Sequence, residues 1–249
     1  MPHDASHDAS DDACDPRIAD LVRAGKIRVA LFPPQYVKDP ATGEFCGALV
    51  EIVRALGARI GVEVLVVERP TPSQAVDCLN GGACDIASLG FDPSRAAQVG
   101  GFSPPLLQVD FTYLVPARSS IRSVTDADRP GVRIAVVRDH ASTLMLQRIL
   151  RQAEPVAAET ADAAFDLLRG GHVDAWASVR PALLDYSARL PGSRVLADSY
   201  GANLPALVVA KGQTARLAYL SEFIAEAKAS GLVQRAIERG GQAGYQVAR

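Results

Sequence analysis

The sequence predicts an α/β protein built from two lobes, each with a parallel sheet covered by helices. From Lys26 onward, short β-branched or apolar runs alternate with amphipathic segments of helical period. The alternation is interrupted at residues 116–120, PARSS, and then begins again. A chain of 249 residues is long enough for two such lobes. The repeated βαβ order therefore favours two lobes over one continuous domain.

The spacing of apolar residues predicts the elements of the first lobe. Apolar runs predict strands at 27–32, 62–68, 85–90 and 106–115. A helix is predicted by apolar residues at helical spacing, namely Leu49, Ile52, Val53, Leu56 and Ile60. Gly61 should end this helix, because a residue without Cβ readily takes the left-handed cap conformation. A shorter helix is expected at 72–79.

A second series of the same kind follows. It predicts strands at 132–137, 154–158 and 172–178 and helices at 142–152 and 164–171. The C-terminal part predicts a strand at 205–212 and a helical segment at 215–240 that is interrupted at Gly231. We expect this part to complete the first lobe, with crossings between the lobes near 113–118 and 199–205. The predicted domains are a tail and lead-in at 1–24, lobe 1 at 25–115 plus 204–249, and lobe 2 at 116–203.

Composition excludes several classes of protein. The chain is 48% hydrophobic and 22% charged, the usual balance of a globular protein, and its formal net charge is -2. The basic residues are scattered, so nucleic acid is not an expected partner. No apolar run approaches the roughly 18 residues that a membrane-spanning helix needs. Residues 1–16 are acidic and lack the apolar stretch of a secretion signal, which was therefore either removed or never present.

The four cysteines, Cys14, Cys46, Cys78 and Cys84, lack the paired C-x-x-C spacing of a zinc or redox motif. Cys78 and Cys84 could form a local disulfide, although small buried thiols are the commoner use of such residues. In the acidic N-terminal segment, His3 and His7 could bind a stray metal, but a solvated tail explains them more simply. We expect no cofactor and no metal site.

Several segments resemble one known family in the order in which that family carries them. They are GKIRVALF (25–32), GEFCGALVEIVRALGARIGVEVLVV (43–67), LGFDPSRAAQVGGFSPP (89–105), GVRIAVV (131–137), LLRGGHVDAWAS (167–178) and KASGLVQRAIE (228–238). This ordered set resembles the polar-amino-acid branch of the bacterial solute-binding proteins, family 3. The resemblance implies a type 2 periplasmic-binding-protein fold, in which two α/β lobes joined by two hinge crossings close over a ligand in their cleft.

The resemblance places ligand contacts at the end of the third strand. Arg95 stands where the family has the arginine that pairs with the ligand's carboxylate, since a guanidinium offers two parallel N–H donors. A surface arginine that stabilises a short helix is the alternative. Ser88, Gly90 and Asp92 precede it, and Gly90 could offer only its backbone. Asp92 would repel a carboxylate unless it binds an ammonium or faces away, and a turn aspartate explains it equally well.

Further candidates follow other strands. Phe32, Gln35 and Tyr36 follow the first strand, where the family supplies an aromatic wall and a polar contact; packing within the PPQY loop is the alternative. In the second lobe, His140, Ala141 and Ser142 open a helix whose backbone N–H groups can bind an anion. Ser142 can equally be the N-cap of that helix.

Another departure from the family concerns the segment DAWASVRP. Family members that bind α-amino acids carry an acidic residue a few positions after the D-A pair, and it binds the ligand's ammonium. Here Arg180 occupies that stretch, and an arginine attracts a second carboxylate or a phosphate instead. Asp174 is interpreted as structural and Trp176 as a core residue.

These observations predict a binding protein and no enzyme. The resemblance implies the monomeric, periplasmic binding component of an ABC-type uptake system, which presents a small carboxylate-containing solute to a membrane permease. A dehydratase of the cyclohexadienyl or prephenate type is an alternative on the same scaffold, with Asp92 and His140 as its only candidate acid or base. A ligand-sensing module is another. The chain contains no G-x-S-x-G, H-E-x-x-H or G-K-[ST] motif.

Overall fold

The computed structural model describes residues 14–32, 35–91, 93–138, 140–241 and 243–249. These residues divide into two compact units. The second unit comprises Gln108–Asn203 and Ala243–Gln246, and the first unit contains the rest of the described chain.

The helices and strands are numbered in chain order. The strands are β1 (Lys26–Leu31), β2 (Val37–Lys38), β3 (Phe45–Cys46), β4 (Glu63–Glu68), β5 (Ile86–Gly90), β6 (Gly101–Phe102), β7 (Leu107–Val115), β8 (Arg133–Val137), β9 (Glu154–Ala158), β10 (Ala175–Val179), β11 (Arg194–Val195), β12 (Gly201–Asn203), β13 (Pro205–Val209) and β14 (Tyr245–Val247). The helices are α1 (Ala19–Ala24), α2 (Ala48–Ile60), α3 (Pro72–Asn80), α4 (Pro93–Ala96), α5 (Ala141–Ile149), α6 (Ala161–Arg169), α7 (Arg180–Ser187), α8 (Thr214–Ala229) and α9 (Leu232–Gly240), with a 3₁₀ turn at Val124–Ala127.

The first unit is a sheet in the order β4-β1-β5-β13-β6. Strands β4, β1 and β5 are parallel, and they are joined through the amphipathic helices α2 and α3 as the βαβ pattern predicts. Strand β13 returns from the second unit and lies antiparallel to both β5 and β6. The carboxyl ends of the three parallel strands consequently meet at one edge of this sheet.

The second unit has a sheet in the order β11-β7-β10-β8-β9, and β12 and β14 also pair with β7. Strands β10, β8 and β9 are parallel, while β7 is antiparallel to β10. Residues 108–115, predicted for lobe 1, therefore belong to the second unit, as do Ala243–Gln246. The chain leaves the first unit after Leu107 rather than near 113–118. An apolar run predicts a strand but does not reveal which distant strands it pairs with.

The two left-handed glycines expected from the sequence are confirmed. Gly61 ends α2 with φ 71°, and Gly231 separates α8 from α9 with φ 74°. Helix α5 ends at Ile149, earlier than the predicted 152. The segment before β1 is not all tail, because Ile18 and Leu21 are buried in the first unit's core around α1.

A disulfide joins Cys78 and Cys84 at the end of α3, with 5.3 Å between their Cα atoms. The preferred interpretation of these residues as free buried thiols is therefore wrong, because burial and spacing alone do not distinguish a thiol from a disulfide. Cys14 and Cys46 are free and exposed. His3 and His7 lie outside the described residues. Within the described ranges, no cluster of His, Cys, Asp or Glu side chains could hold a metal, and no helix could span a membrane.

In each unit, an aspartate just before a central strand accepts a backbone N–H of the neighbouring strand, and we call this contact the aspartate clasp. In the first unit, the Asp85 carboxylate accepts hydrogen bonds from the Arg28 backbone N–H (2.8 Å) and from its guanidinium (2.7 and 3.0 Å). In the second unit, the Asp174 carboxylate accepts the Arg133 backbone N–H at 2.8 Å. This contact agrees with the structural role predicted for Asp174. Trp176 lies fully buried against Phe165 and Tyr186, which confirms that it is a core residue.

Candidate functional site

In the first unit, predicted site residues lie at the carboxyl edge of the sheet. Phe32 and Gln35 follow β1, Gly90 ends β5 and Arg95 lies in α4 directly after it. Strands β1 and β5 are neighbours in register, with Ala30 opposite Ala87, so their ends are adjacent. Open α/β sheets bind ligands at this edge.

Gln35 and Ser88 bind each other. The Gln35 side-chain amide donates to the Ser88 carbonyl at 3.0 Å and to its hydroxyl at 3.2 Å. Its amide oxygen accepts the Phe32 backbone N–H at 3.3 Å. Gln35 is buried, and Ser88 is 0% exposed. These two side chains thus hold the loop after β1 against β5, and their contact with a ligand remains a prediction.

Tyr36 is held by two partners. Its hydroxyl donates to the carboxylate of Glu68 at the end of β4, and its ring meets Phe45 edge to face at 5.0 Å. Burial, together with the bond to Glu68, raises the pKa of Tyr36 to about 12, so the phenol is neutral at physiological pH. Phe32 is half-buried on the core beneath β1. The local packing alternative thus describes the contacts of Tyr36 and Phe32, and a ligand contact remains a prediction for both.

Arg95 is partly buried, and only one of its guanidinium nitrogens donates a hydrogen bond to a described residue. One terminal nitrogen of its guanidinium donates to the Gly90 carbonyl at 3.3 Å. Among the described residues it forms no ion pair with any carboxylate. A guanidinium has five N–H donors, so most of those of Arg95 remain available to an anion. Asp92 lies outside the described residues.

Phe91 is a candidate that the sequence interpretation missed. It directly follows Gly90, it is 66% exposed, and its ring meets Phe102 edge to face at 5.4 Å. The signal for it in the sequence is an aromatic residue between Gly90 and Asp92, within a motif whose predicted contacts are all polar. Its exposed ring gives the end of β5 an apolar surface, four residues before Arg95 in the chain.

In the second unit, the N-terminus of α5 follows β8. His140, with φ -68° and ψ 147°, is the N-cap, and its side chain makes no capping bond. Ser142 lies inside the helix and is buried, so the alternative of Ser142 as N-cap is wrong. The backbone N–H groups of Ala141, Ser142 and Thr143 have no acceptor in the described part of the chain. Although His140 as a whole is exposed, partial desolvation of its imidazole lowers its pKa.

Arg180 begins α7, and protein groups occupy its guanidinium. One terminal nitrogen donates to the Leu196 carbonyl at 2.7 Å, and the other donates to the carbonyls of Ala197 (2.9 Å) and Asp198 (3.2 Å). The second nitrogen also lies 3.4 Å from the Asp110 carboxylate. This arrangement anchors the segment after β11 and gives no support to an anion clamp at Arg180. The sequence could not show these contacts, because Asp110 lies in strand β7, which is distant from Arg180 in the chain.

A family model described as "Bacterial extracellular solute-binding proteins, family 3" matches residues 27–240. The chain belongs to this family. Its fold is accordingly the type 2 periplasmic-binding-protein fold predicted from the sequence, and it is shared with solved structures. An ancestral cationic amino acid solute-binding protein has a TM-score of 0.73 at 23% identity and covers 89% of this chain and 97% of its own.

Other solved relatives have the same fold. A solute receptor for L-cysteine of Neisseria gonorrhoeae has a TM-score of 0.68 at 22% identity and covers 90% of this chain and 92% of its own. An ancestral amino acid-binding protein described as a precursor of cyclohexadienyl dehydratase has a TM-score of 0.68 at 23% identity, with 89% and 97% covered. At these identities the likeness concerns the fold alone.

Two curated relatives match by sequence. The Escherichia coli K12 protein named "Putative aliphatic sulfonates-binding protein" is 35% identical over 153 residues, which are 55% of this chain and 46% of that protein. The virulence sensor protein BvgS of Bordetella bronchiseptica is 26% identical over 186 residues, 73% of this chain and 15% of that protein. The matches thus span less than half the length of either relative.

Proposed function

We propose that this solute-binding protein binds a small organic anion, with Arg95 as the principal contact for the ligand's acid group. The observation that carries the proposal is the partly buried guanidinium with unused donors at the carboxyl edge of the first sheet. Two parallel N–H groups match the two oxygens of a carboxylate, and they fit a sulfonate equally well. Phe91 offers the ligand an apolar surface beside this contact.

The proposed ligand carries no α-ammonium group. The stretch after Asp174, AWASVR, contains no acidic residue where amino-acid-binding members of the family place one. The sulfonate in the name of the Escherichia coli relative supports the same preference, because a sulfonate needs no amine partner.

We propose that the protein serves an ABC-type uptake system in the periplasm. The family supports this assignment. The disulfide between Cys78 and Cys84 also supports it, because structural disulfides persist in oxidising compartments such as the periplasm. A ligand-sensing module is the second candidate, and the match to BvgS over 73% of this chain favours it. Binding to the purified permease, measured with and without ligand, separates the two roles.

We propose that binding involves no chemical step. Asp92 and His140 are the candidate acid or base groups from the sequence, and His140 is an exposed N-cap. Incubation of each ligand with the protein, followed by mass spectrometry, should recover the ligand unchanged. Turnover of prephenate would instead identify a dehydratase.

A thermal-shift screen with matched acids tests the ligand class. We expect 2-oxoglutarate, succinate or ethanesulfonate to stabilise the protein, and glutamate, aspartate and taurine to do so less, because only the second group carries an ammonium. A ligand at a hundred times its Kd adds about 2.7 kcal/mol to the free energy of unfolding. Stabilisation by lysine or arginine, with none by the matched acids, would reverse the proposed preference.

The N-terminus of α5 is a second proposed determinant, and it can be tested by removing a single donor. Proline is tolerated at the first position of a helix, and the extended backbone of His140 suits a following proline, so Ala141→Pro deletes one N–H while keeping the helix. We expect about a tenfold weaker affinity for the screened anion, measured by calorimetry. Ala161→Pro makes the same change in α6, after the N-cap Thr160, and should have no effect. Equal anion affinities in the two variants would show that the N-terminus of α5 does not contribute to binding.

A further inference from the structure

The second unit contains a pocket that the anion site does not use. It has a volume of about 240 Å³ and lies among the 3₁₀ turn, α5 and strand β7. Its walls are mainly apolar, with the rings of Tyr113 and Tyr200 5.1 Å apart and the side chains of Leu146 and Ile149 facing them. A cavity of about 150 Å³ already admits benzene, so an aromatic molecule fits this volume.

Tyr113 brings an unsatisfied polar group to the pocket. The residue is 1% exposed, and its hydroxyl has no hydrogen-bond partner in the part of the chain that the structure describes. Tyr113 is one of the residues that line the pocket, and its hydroxyl is not completely enclosed by protein. A ligand that hydrogen-bonds to this hydroxyl therefore gains an interaction that no described protein group supplies.

Asp128, in the wall of the pocket, influences which ligand charge the pocket can bind. Its carboxylate accepts backbone N–H bonds from Arg151 (3.0 Å), Gln152 (2.7 Å) and Ala153 (3.0 Å). Burial alone would raise the pKa of Asp128, but these hydrogen bonds lower it below its ordinary value and keep the carboxylate ionised. Burial and the Asp128 charge both raise the pKa of Tyr113, which stays a neutral phenol. The charge of Asp128 in the wall therefore disfavours an anionic ligand, whereas the neutral Tyr113 hydroxyl can donate or accept a hydrogen bond.

We propose that this pocket binds a small neutral aromatic compound with one hydroxyl or N–H group, of the size of phenol or indole. The ring packs between the two tyrosines and the aliphatic side chains of α5. The polar group hydrogen-bonds to the Tyr113 hydroxyl. None of the residues that line the pocket is among those proposed to bind the anion, so the site does not depend on Arg95 or on that anion.

Titrations of the full chain with phenol, toluene and benzoate test the proposal, observed by NMR of ¹³C-labelled methyl groups. We expect phenol to shift the methyl signals of Leu146, Ile149 and Leu150, toluene to shift the same signals more weakly, and benzoate to leave them unchanged. Tyr113→Phe removes the hydroxyl alone. It should lower the affinity for phenol by about threefold to tenfold and leave the affinity for toluene unchanged.

Two further variants make the result decisive. Tyr186→Phe removes a hydroxyl that donates to Asp162 at 2.9 Å, away from the pocket, and should leave phenol binding unchanged. Ile149→Trp, at a position that is 41% exposed, should cover the pocket and abolish binding of phenol and toluene. The proposal is overturned if phenol shifts none of the three methyl signals, or if Tyr113→Phe binds phenol as tightly as the wild type.

Discussion

Replacing Arg95 by alanine is expected to abolish the ligand-induced thermal shift while leaving the ligand-free protein folded. Among the described residues, the Arg95 guanidinium has the Gly90 carbonyl as its one partner, so its removal breaks one weak internal bond. For the ligand, however, the change leaves an acid group unpaired, which typically costs about 2–5 kcal/mol. This cost corresponds to about a 30-fold to several-thousandfold loss of affinity, which calorimetry with the screened anion can measure.

Two arginine variants control this experiment. Arg95→Lys keeps the charge but loses the planar pair of donors, and we expect an affinity between those of the wild type and Arg95→Ala. Arg54→Ala removes an arginine of α2 that pairs with Glu51 at 3.7 Å and should leave the affinity unchanged. An unaltered affinity in Arg95→Ala, with circular dichroism showing a folded protein, would contradict the proposed contact.

Replacing Asp85 by alanine is expected to cause the largest loss of stability among the proposed variants. The change removes the acceptor of three hydrogen bonds from Arg28 and leaves a part-buried guanidinium unpaired. Bonds to charged groups contribute about 1.5–3 kcal/mol each in favourable cases, and we expect a total loss of about 2–4 kcal/mol. Hydrogen exchange of peptides from β1 should accelerate by about 30-fold to several hundredfold at neutral pH.

The matching clasp in the second unit provides the control. Asp174 accepts the Arg133 backbone N–H but no guanidinium bond from it, so Asp174→Ala should accelerate exchange in β8 by a smaller factor. Burial opposes ionisation of Asp85, yet the Arg28 bonds lower its pKa below the ordinary value. The Asp85 contribution is therefore complete above about pH 4 and is lost as the pH falls through the lowered pKa. Unchanged exchange of β1 in Asp85→Ala would contradict the clasp.

Local pattern predicted most of the elements because periodicity is a local property. The helix from Ala48 to Ile60 and its glycine end follow from apolar spacing and from the absence of a Cβ in Gly61. Strand β7 was also predicted as a strand, but its unit was not. Three of its partners, β10, β11 and β12, are contributed by residues 175–203, and the apolar run itself does not indicate such long-range pairing.

In the candidate site, too, the sequence predicted features that depend on neighbouring residues but not contacts with residues distant in the chain. The motif indicated the position of Arg95 after β5, and most of its donors have no partner in the described part of the chain, which suits the predicted role. Arg180 had an equally suggestive position, but carbonyls at 196–198 and the carboxylate of Asp110 occupy its guanidinium. Residue type and spacing indicate what a side chain can bind. They do not show which protein groups already bind it.

The central claim is that Arg95 holds the acid group of a small anion. A crystal structure of the protein with the strongest anion from the thermal-shift screen tests this claim most directly. We expect two ligand oxygens at about 2.7–2.9 Å from two guanidinium nitrogens of Arg95, with the ligand's carbon skeleton against Phe91. A ligand bound elsewhere, with the Arg95 guanidinium still directed at the Gly90 carbonyl alone, would contradict the claim.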